Sequence, residues 1–381
     1  MACACALKRA NVPCLVVERA SSRREGGAAI ALWKNAWSAL DHLLGKPASQ
    51  SVRESHPSLN RVELCSPSGV LKSFSLDECD GPKPHEFRGC WRSEVLAALE
   101  ANLDAETDVR YGVDVVGASP SNGGGGVVLR TASGENIECR AVVGCDGVGS
   151  RIARESLGLE TPAFAGYAAV RGVARFEDKI PPSLPRNVVR QILGRGVRAG
   201  LYPVSDSEVY WFVCFNAEEA FAREWGQDKE GLLRIVADWE GAIQDVIQAT
   251  PRDEMVASSI SDRWVAPWEL KSREGGAITL AGDGLHPMTP NLGQGGCCAL
   301  EDAVVLSRMV EDHPGDLALA FRKYEEKRAL RCFPLTIRAH VMGFLLQIDN
   351  PIVCAVRNAV VERIFSPKSF LDHTLYDCRV E

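Results

Sequence analysis

No apolar run in this chain approaches the ~20 residues needed to span a bilayer, so an integral membrane segment is not expected. Positive charge is also in short supply: 43 Lys and Arg against 50 Asp and Glu leave a net charge of −7. Without a broad basic field to attract a phosphate backbone, nucleic acid is not an expected partner. Cysteine is plentiful, at 14 residues, but no pair has Cys-x-x-Cys spacing, and the spread over a long chain is unlike a disulfide framework. Reduced thiols and no metal are therefore expected, in the cytoplasm by default or in a reducing organelle. The opening "MACACALKRANVPCLVVERA" lacks the basic stretch and apolar core of a signal peptide. It also lacks glycine, and with it any Gly-x-Gly-x-x-Gly turn.

With 381 residues, 46% of them hydrophobic and 24% charged, the chain can bury a large core and is long enough for two domains or for one with an insertion. "ACACALKRA" predicts a helix that stops at Asn11, and "CLVVE" predicts a buried strand ending on Glu18, together the second half of a βαβ unit. "GGAAIALWKNAWSALDHL" reads as a glycine turn, a short extended piece and a helix from about Asn35. "NRVELCSPSGVLKSF" reads as two strands about a turn, and "WRSEVLAALEANL" as an amphipathic helix with Ser93 near its start. From "VRYGVDVV" to "AVVGCDG" the pattern is a β-meander, with "NGGGG" as a flexible turn. Residues 166 to 264 are β-rich, with a helix near "KEGLLRIVADW". "GAITLAGD" returns to a buried parallel-type strand, and "GGCCALEDAVVLSRMV" is a helix. The tail "LALAFRKYEEKRALRCFPLTIRAHVMGFLLQ" is helical with a break expected at Pro334.

Three separated segments carry chemistry. Glu18, at the end of "CLVVE", is placed as a carboxylate that accepts hydrogen bonds from a ribose diol in a dinucleotide fold. "AVVGCDGVGSRIAR" would gather Asp146, Ser150 and Arg154 around one strand end, although a simple turn with a Ser cap uses the same residues. In "AITLAGDGLHPMTPNLGQGGCCALEDA" a strand ends at Gly282-Asp283, Pro287 and Pro290 stiffen a loop, and a helix starts behind Gly293, Gly295 and Gly296. Free N–H groups at such a helix start favour negative charge, and the glycines let a planar ring approach closely. His286 is the one acid/base candidate in the loop, with a loop-fixing hydrogen bond as its competing role. No other catalytic side chain is assigned. Cys297 and Cys298 are adjacent on a helix and point ~100° apart, which suits packing better than a bridge.

These segments together resemble the FAD-dependent aromatic hydroxylases and epoxidases, the single-component flavoprotein monooxygenases, and most closely their zeaxanthin epoxidase-like plant branch. "CDGVGSRIAR" is similar to the family's DGxxSxxR motif and "GDGLHPMTPNLGQGGCCALEDA" to its GD motif. The resemblance implies an α/β fold: a Rossmann-like FAD-binding parallel sheet, an inserted mixed β-sheet substrate domain and C-terminal helices. Residues 1–60, 86–165 and 266–335 would form the FAD-binding domain, 61–85 and 166–265 the substrate domain, and 336–381 a helical tail. It further implies that FAD is held by Glu18, Arg19, Arg92, Asp146, Arg154, Gly282, Asp283, Pro287, Asn291, Gly293, Gly295 and Gly296, with Arg24 a looser match. NADPH or NADH would be the dissociable reductant. One oxygen atom of O2 would enter a small aromatic or alkene-containing substrate through a flavin C4a-hydroperoxide. The WxWxIP-type segment of flavin-dependent halogenases is not visible.

Members of this family begin with a strand and a Gly-x-Gly-x-x-Gly turn that have no counterpart here, so a truncated start is expected. The missing strand would lie between "CLVVE" and "ITLAG", leaving these about 10 Å apart with unpaired facing edges, at ~1 to 3 kcal/mol per buried unpaired group. The lost bonds to the pyrophosphate amount to about 5 kcal/mol. The alternative expectation is therefore an impaired isoform or pseudoenzyme with a weak hold on FAD.

Overall fold

The computed structural model describes residues 1–23, 29–103, 108–121, 125–266 and 277–379. Arg24 and the glycines of "GGAAI" lie outside them, as does most of "NGGGG". The chain starts with α1 (Ala2–Arg9), which stops where Asn11 takes a left-handed φ of 54°. It continues into β1 (Leu15–Glu18), β2 (Ala29–Trp33), α2 (Lys34–Leu44) and α3 (Lys46–Glu54). In α2, Ala36, Trp37, Ala39, Leu40, Leu43 and Leu44 are buried, the i, i+3, i+4 stripe of a helix packed on one face. The hairpin β3 (Arg61–Ser66) and β4 (Gly69–Ser75) precedes β5 (Phe87–Trp91), α4 (Arg92–Ala101) and β6 (Asp108–Tyr111). Strands β7 (Val115–Pro120), β8 (Val127–Thr131) and β9 (Asn136–Cys139) form the expected meander, and the chain then enters β10 (Val142–Gly144).

The next stretch runs through β11 (Ala163–Arg175), β12 (Val188–Leu193), β13 (Val197–Pro203), β14 (Glu208–Asn216), α5 (Glu219–Glu224), α6 (Lys229–Ile235), α7 (Ile243–Ala249) and β15 (Val256–Asp262). These strands join the β3–β4 hairpin in one seven-stranded sheet of order β15-β11-β14-β13-β12-β3-β4. Along β14 the two faces separate cleanly. Val209, Trp211, Val213 and Phe215 point into a core shared with α5, α6 and α7, while Tyr210, Phe212 and Cys214 point the other way. The chain returns through β16 (Ile278–Leu280) to α8 (Gly295–Asp312), α9 (Leu317–Leu346) and α10 (Pro351–Arg363). Helix α8 is buried almost all round, as a central helix must be when α1, α2 and α9 all pack on it.

Outside the large sheet the parallel strands form two pairs. β1 pairs with β6 and β10 with β16, and no ladder joins these two pairs among the described residues.

One expectation about the tail needs correction. Pro334 does not break the tail helix: α9 runs unbroken for 30 residues through it. The reason is that Ala329, Cys332, Leu335, Thr336 and Ala339 form one buried stripe spanning the proline, so side-chain packing offsets the single lost backbone bond. The carbonyl left without its donor belongs to Leu330, a residue 70% exposed, where water can satisfy it. No uninterrupted apolar run of ~20 residues occurs in α9, although by length and average composition alone the helix could cross a membrane. Here it is bound into the protein by Tyr324, whose Oη donates to the Leu280 carbonyl at 2.9 Å, and by the buried Arg328. With Pro334 replaced by alanine, the restored backbone bond is expected to raise stability by about 1 to 3 kcal/mol, read as a higher melting temperature. A lower one would mean that the helix needs the proline's local bend.

Candidate functional site

Two turns meet at the C-terminal ends of β10 and β16. Ala281 N–H donates to the Gly144 carbonyl at 2.9 Å, locking the strand ends together. A Cβ at Gly284 would sit 3.1 Å from that carbonyl and 3.7 Å from Asp146 Oδ1, so only glycine lets the second turn pass over the first. Asp146 accepts from Ser150 Oγ at 2.5 Å and from the backbone N–H of Arg151 and Ile152 at 2.7 and 3.1 Å. Ser150 Oγ in turn accepts from Ala153 N–H at 2.9 Å. The expected trio is therefore only partly assembled. Asp146 and Ser150 cap the turn together, whereas Arg154 points away, its Nε on Glu155 at 2.8 Å. Once the turn uses the carboxylate for its own N–H groups, nothing draws the arginine in.

Asp283 lies on the other turn. It is exposed, yet closely ringed by protein atoms, as a side chain on the floor of an open cleft would be. Those surroundings raise its pKa; His286 opposes the rise and Asp302 adds to it. A Cβ at Gly295 would meet Asp283 Oδ1 at 3.6 Å, so the carboxylate stands directly before the first turn of α8. Gly293 takes φ 61°, and a Cβ there would lie 3.1 Å from Trp33 Nε1. At Gly296 a Cβ would collide with Ile30 at 2.4 Å, so that glycine serves the packing of α8 on β2.

The other expected positions are spread more widely. Pro287 is buried, and its carbonyl accepts from Arg263 N–H at 3.1 Å. Asn291 Nδ2 lies 3.0 Å from Tyr167 Oη, 2.9 Å from Thr289 Oγ1 and 2.9 Å from the Ala339 carbonyl, tying the loop to β11 and α9. Glu18 and Arg19 are exposed at the end of β1, where Glu18 Oε1 accepts from Ala20 N–H at 2.8 Å. Arg92 is exposed at the first residue of α4. Among the described residues no hydrogen bond or ion pair joins Glu18 or Arg92 to the two turns.

Sequence reasoning missed the buried charges beneath the loop. Glu301, Asp302 and Arg328 are each 0% exposed. Asp302 Oδ2 accepts from Gly282 N–H and faces His286 Nε2, both at 2.7 Å, while Oδ1 accepts from Arg328 Nε at 2.5 Å. Glu301 binds Arg328 at 2.8 Å, Arg331 at 3.2 Å and Asn35 Nδ2 at 2.6 Å. Burial opposes ionisation of Asp302, but His286 and Arg328 outweigh it and bring its pKa down to about 2. For His286 burial favours the neutral ring; Asp302 and Cys332 outweigh this and hold it protonated well above the usual range. His286 thus fixes the loop to α8. Two acids inside the apolar run "CCALEDAVVL" were the available signal. Arg263 was missed as well: 8% exposed, it donates to the Glu160 carbonyl at 3.1 Å and to the Gly284 carbonyl, propping the loop from behind.

The loop also faces the outer side of the large sheet. Directly opposed residues put Tyr167, Ala169 and Arg171 of β11, Tyr210, Phe212 and Cys214 of β14, and Arg198, Gly200 and Tyr202 of β13 on one face. Arg198 is 2% exposed, its guanidinium lies 5.3 Å from the Phe212 ring centroid, and Nη2 donates to Cys214 Sγ at 3.6 Å. No carboxylate faces it among the described residues.

Residues 2–316 match the family described as FAD binding domain, and the chain belongs to that family. Its relatives are FAD-dependent monooxygenases. It is 29% identical to Monooxygenase 2 of Arabidopsis thaliana, over 98% of this chain and 93% of that protein. It is 28% identical to the FAD-dependent urate hydroxylase of Mycolicibacterium vanbaalenii, over 89% of this chain and 84% of that protein. Among solved structures, Klebsiella pneumoniae HpxO complexed with FAD and uric acid has the same fold, with a TM-score of 0.81 at 24% identity over 99% of this chain and 92% of that one. By these resemblances the chain is an enzyme, a flavoprotein monooxygenase with FAD as cofactor. The loop fits that group: Trp33 Nε1, Asn291 Oδ1 and Gln294 Nε2 are buried hydrogen-bonding atoms without a protein partner, gathered around the glycine-lined start of α8.

Replacing Arg328 with methionine leaves Glu301 and Asp302 undercompensated in the core and is expected to cost about 3 to 5 kcal/mol in urea unfolding. The pH dependence has two limbs. Asp302 has a depressed pKa, so its contribution is present above the ordinary carboxylate value and lost as pH falls towards about 2. His286 has a raised pKa, so its contribution is full below ~6.5 and lost as pH rises through its folded value. The melting temperature should therefore peak between about pH 4 and 6.5, and Asp302→Asn should flatten both limbs. Unchanged limbs in that variant would remove Asp302 from this role.

Proposed function

We propose that this chain is an NAD(P)H-dependent FAD monooxygenase that hydroxylates a compact aromatic substrate bearing an ionised oxygen. The observation that carries the reading is Arg198, a buried guanidinium with no carboxylate opposite it. A buried cation left without a counter-charge is costly, and an anionic ligand would relieve that cost. Phe212 and Tyr210 beside it offer ring faces to a planar molecule, and Arg171 stands next to them on the same face. Tyr167 joins this face to the loop through Asn291, so a substrate here would lie between the sheet and the loop.

When bound, FAD reduced by NADPH or NADH would activate O2, and O2 would provide the inserted oxygen atom. The chain supplies position and polarity. Asp283 would accept from the ribityl hydroxyls. The N–H groups of Gly295 and Gly296, at the positive end of the 18-residue α8, would stabilise negative charge on the reduced ring. Pro287, Pro290 and the His286–Asp302 bond keep the loop from relaxing around the ring. Glu18, Arg19 and Arg92 remain candidates for the adenosine and ribityl portions.

A second reading, a catalytically impaired chain with a weak hold on FAD, is favoured by one observation: the β1–β6 and β10–β16 pairs share no ladder. The flavin content of the purified chain separates the two. Stoichiometric FAD, with NAD(P)H oxidation stimulated by acidic aromatic compounds, supports the first reading; a colourless protein that takes up no added FAD supports the second. In an active preparation, Arg198→Met is expected to raise KM for an anionic substrate about 10-fold to 100-fold, the worth of one charge-assisted bond, with flavin content unchanged. An unchanged KM would remove the arginine from substrate recognition.

A further inference from the structure

Helices α8 and α9 face each other with two cysteines. Cys298 and Cys332 are 0% and 1% exposed and share a small apolar cluster with Leu292, Leu335 and Ala339. The two thiols are neighbours in this cluster, and each shifts the ionisation of the other. Charged groups surround the second sulfur from every side. On α9 itself, Arg328 Nη2 donates to Cys332 Sγ at 3.4 Å, and Arg331 binds Glu301 one turn further on. Helix α8 presents Glu301 and Asp302. The loop presents His286, whose Nε2 is taken by Asp302 and whose buried Nδ1 has no hydrogen-bond partner, leaving the ring beside the Cys332 sulfur. The His286, Asp302 and Cys332 donor atoms lie within 4.8 Å of one another. This is a carboxylate–imidazole–thiol relay, the arrangement that activates a sulfur nucleophile. A cation is already present in it as Arg328.

Burial opposes ionisation of Cys332, but the Cys298 thiol, Arg328 and His286 outweigh it and bring its pKa down to about 5. Cys298 moves the other way and stays a thiol, raised by its neighbour Cys332 and by burial. A small cavity is lined by Cys332 together with Val265, Leu285, His286, Phe333 and Thr336, with room for about one water-sized molecule. A thiolate, a neighbouring thiol and a water-sized opening are the requirements for reaction with a small peroxide, and the opening is too narrow for a bulky disulfide.

We propose that Cys332 is a site of oxidation by hydrogen peroxide and that Cys298 resolves it to a disulfide joining α8 and α9. The Cys332 thiolate attacks one peroxide oxygen, the O–O bond breaks, and sulfur is oxidised by two electrons to the sulfenic acid. The departing hydroxide takes a proton from His286 and leaves as water. Cys298 sulfur then attacks the sulfenic sulfur and forms the S–S bond, and the hydroxyl leaves with the Cys298 proton as a second water.

The test treats the full chain with hydrogen peroxide, unfolds it in alkylating reagent and maps disulfides by mass spectrometry. The Cys298–Cys332 cross-link is expected, forming at a rate that changes less than about twofold between about pH 6 and 8.5, because the thiolate is present throughout; an ordinary thiol would accelerate about tenfold per pH unit below its pKa. In Cys298→Ser the oxidation should stop at the sulfenic acid, trapped on Cys332 when the chain is unfolded into dimedone. A bulky aromatic disulfide should leave the native pair unmodified. The proposal is overturned if peroxide leaves both residues as free thiols while oxidising Cys3 and Cys145, whose sulfurs lie 3.8 Å apart at the other end of the site. It is equally overturned if the rate climbs about tenfold per pH unit.

Discussion

Asp302 accepts three hydrogen bonds from two separate parts of the chain: the Gly282 N–H and the His286 ring of the loop, and the Arg328 guanidinium of α9. The rest of the site depends on this one buried carboxylate. It sets the start of the GD loop against α8, draws α9 across the same helix, and with Glu301 balances the positive charge that Arg328 and Arg331 bring inside. Such a cluster is a poor source of net stability, since desolvation offsets most of the attraction. Its effect is positional: a charge with three fitted partners has few alternative arrangements, so the loop cannot slide along the helix without stranding a charge in the core.

From that anchor the remaining geometry follows outward. With Gly282 and His286 fixed, the turn passes over β10 only because Gly284 has no side chain, and it delivers Asp283 to the first turn of α8. Asn291 carries the constraint on to Tyr167 and hence to the face of the large sheet that holds Arg198 and Phe212. The loop proposed for the cofactor and the sheet face proposed for the substrate are thus positioned by one connected set of hydrogen bonds. The same set sharpens Cys332, because the imidazole and guanidinium that hold the loop are also the groups nearest its sulfur.

The split of the parallel strands separates the two ends of the proposed site. β1 carries Glu18 and Arg19, and β16 carries Gly282 and Asp283 just beyond its end, yet no ladder connects these strands among the described residues. The turn after β16 is braced by α8 and α9 through Asp302 and Tyr324, whereas β1 belongs to a two-stranded pair. With FAD bound as proposed, its two halves would be gripped by mechanically separate parts of the chain.

Local pattern was enough for a large part of this. Period-2 and period-3.6 hydrophobicity, Gly-Asp and Asp-Gly turns and the glycine-rich helix start identified most elements and the family, because each depends on residues adjacent in the chain. The same locality explains the errors. Pro334 is a helix breaker by its own chemistry, and only the buried stripe across α9 overrides it. Arg154 follows Ser150 at motif spacing, but Asp146 spends its oxygens on the turn. Arg198, Arg263, Arg328 and Cys332 have no distinguishing neighbours in sequence; their meaning lies in which charges and cavities they face, and those come from other elements. By itself the sequence determined the fold, the cofactor class and the glycine-lined loop proposed to receive the flavin ring. Which charges would be buried, and against what, was decided only by the tertiary structure, since the cost of a buried charge depends on partners that folding alone brings within reach.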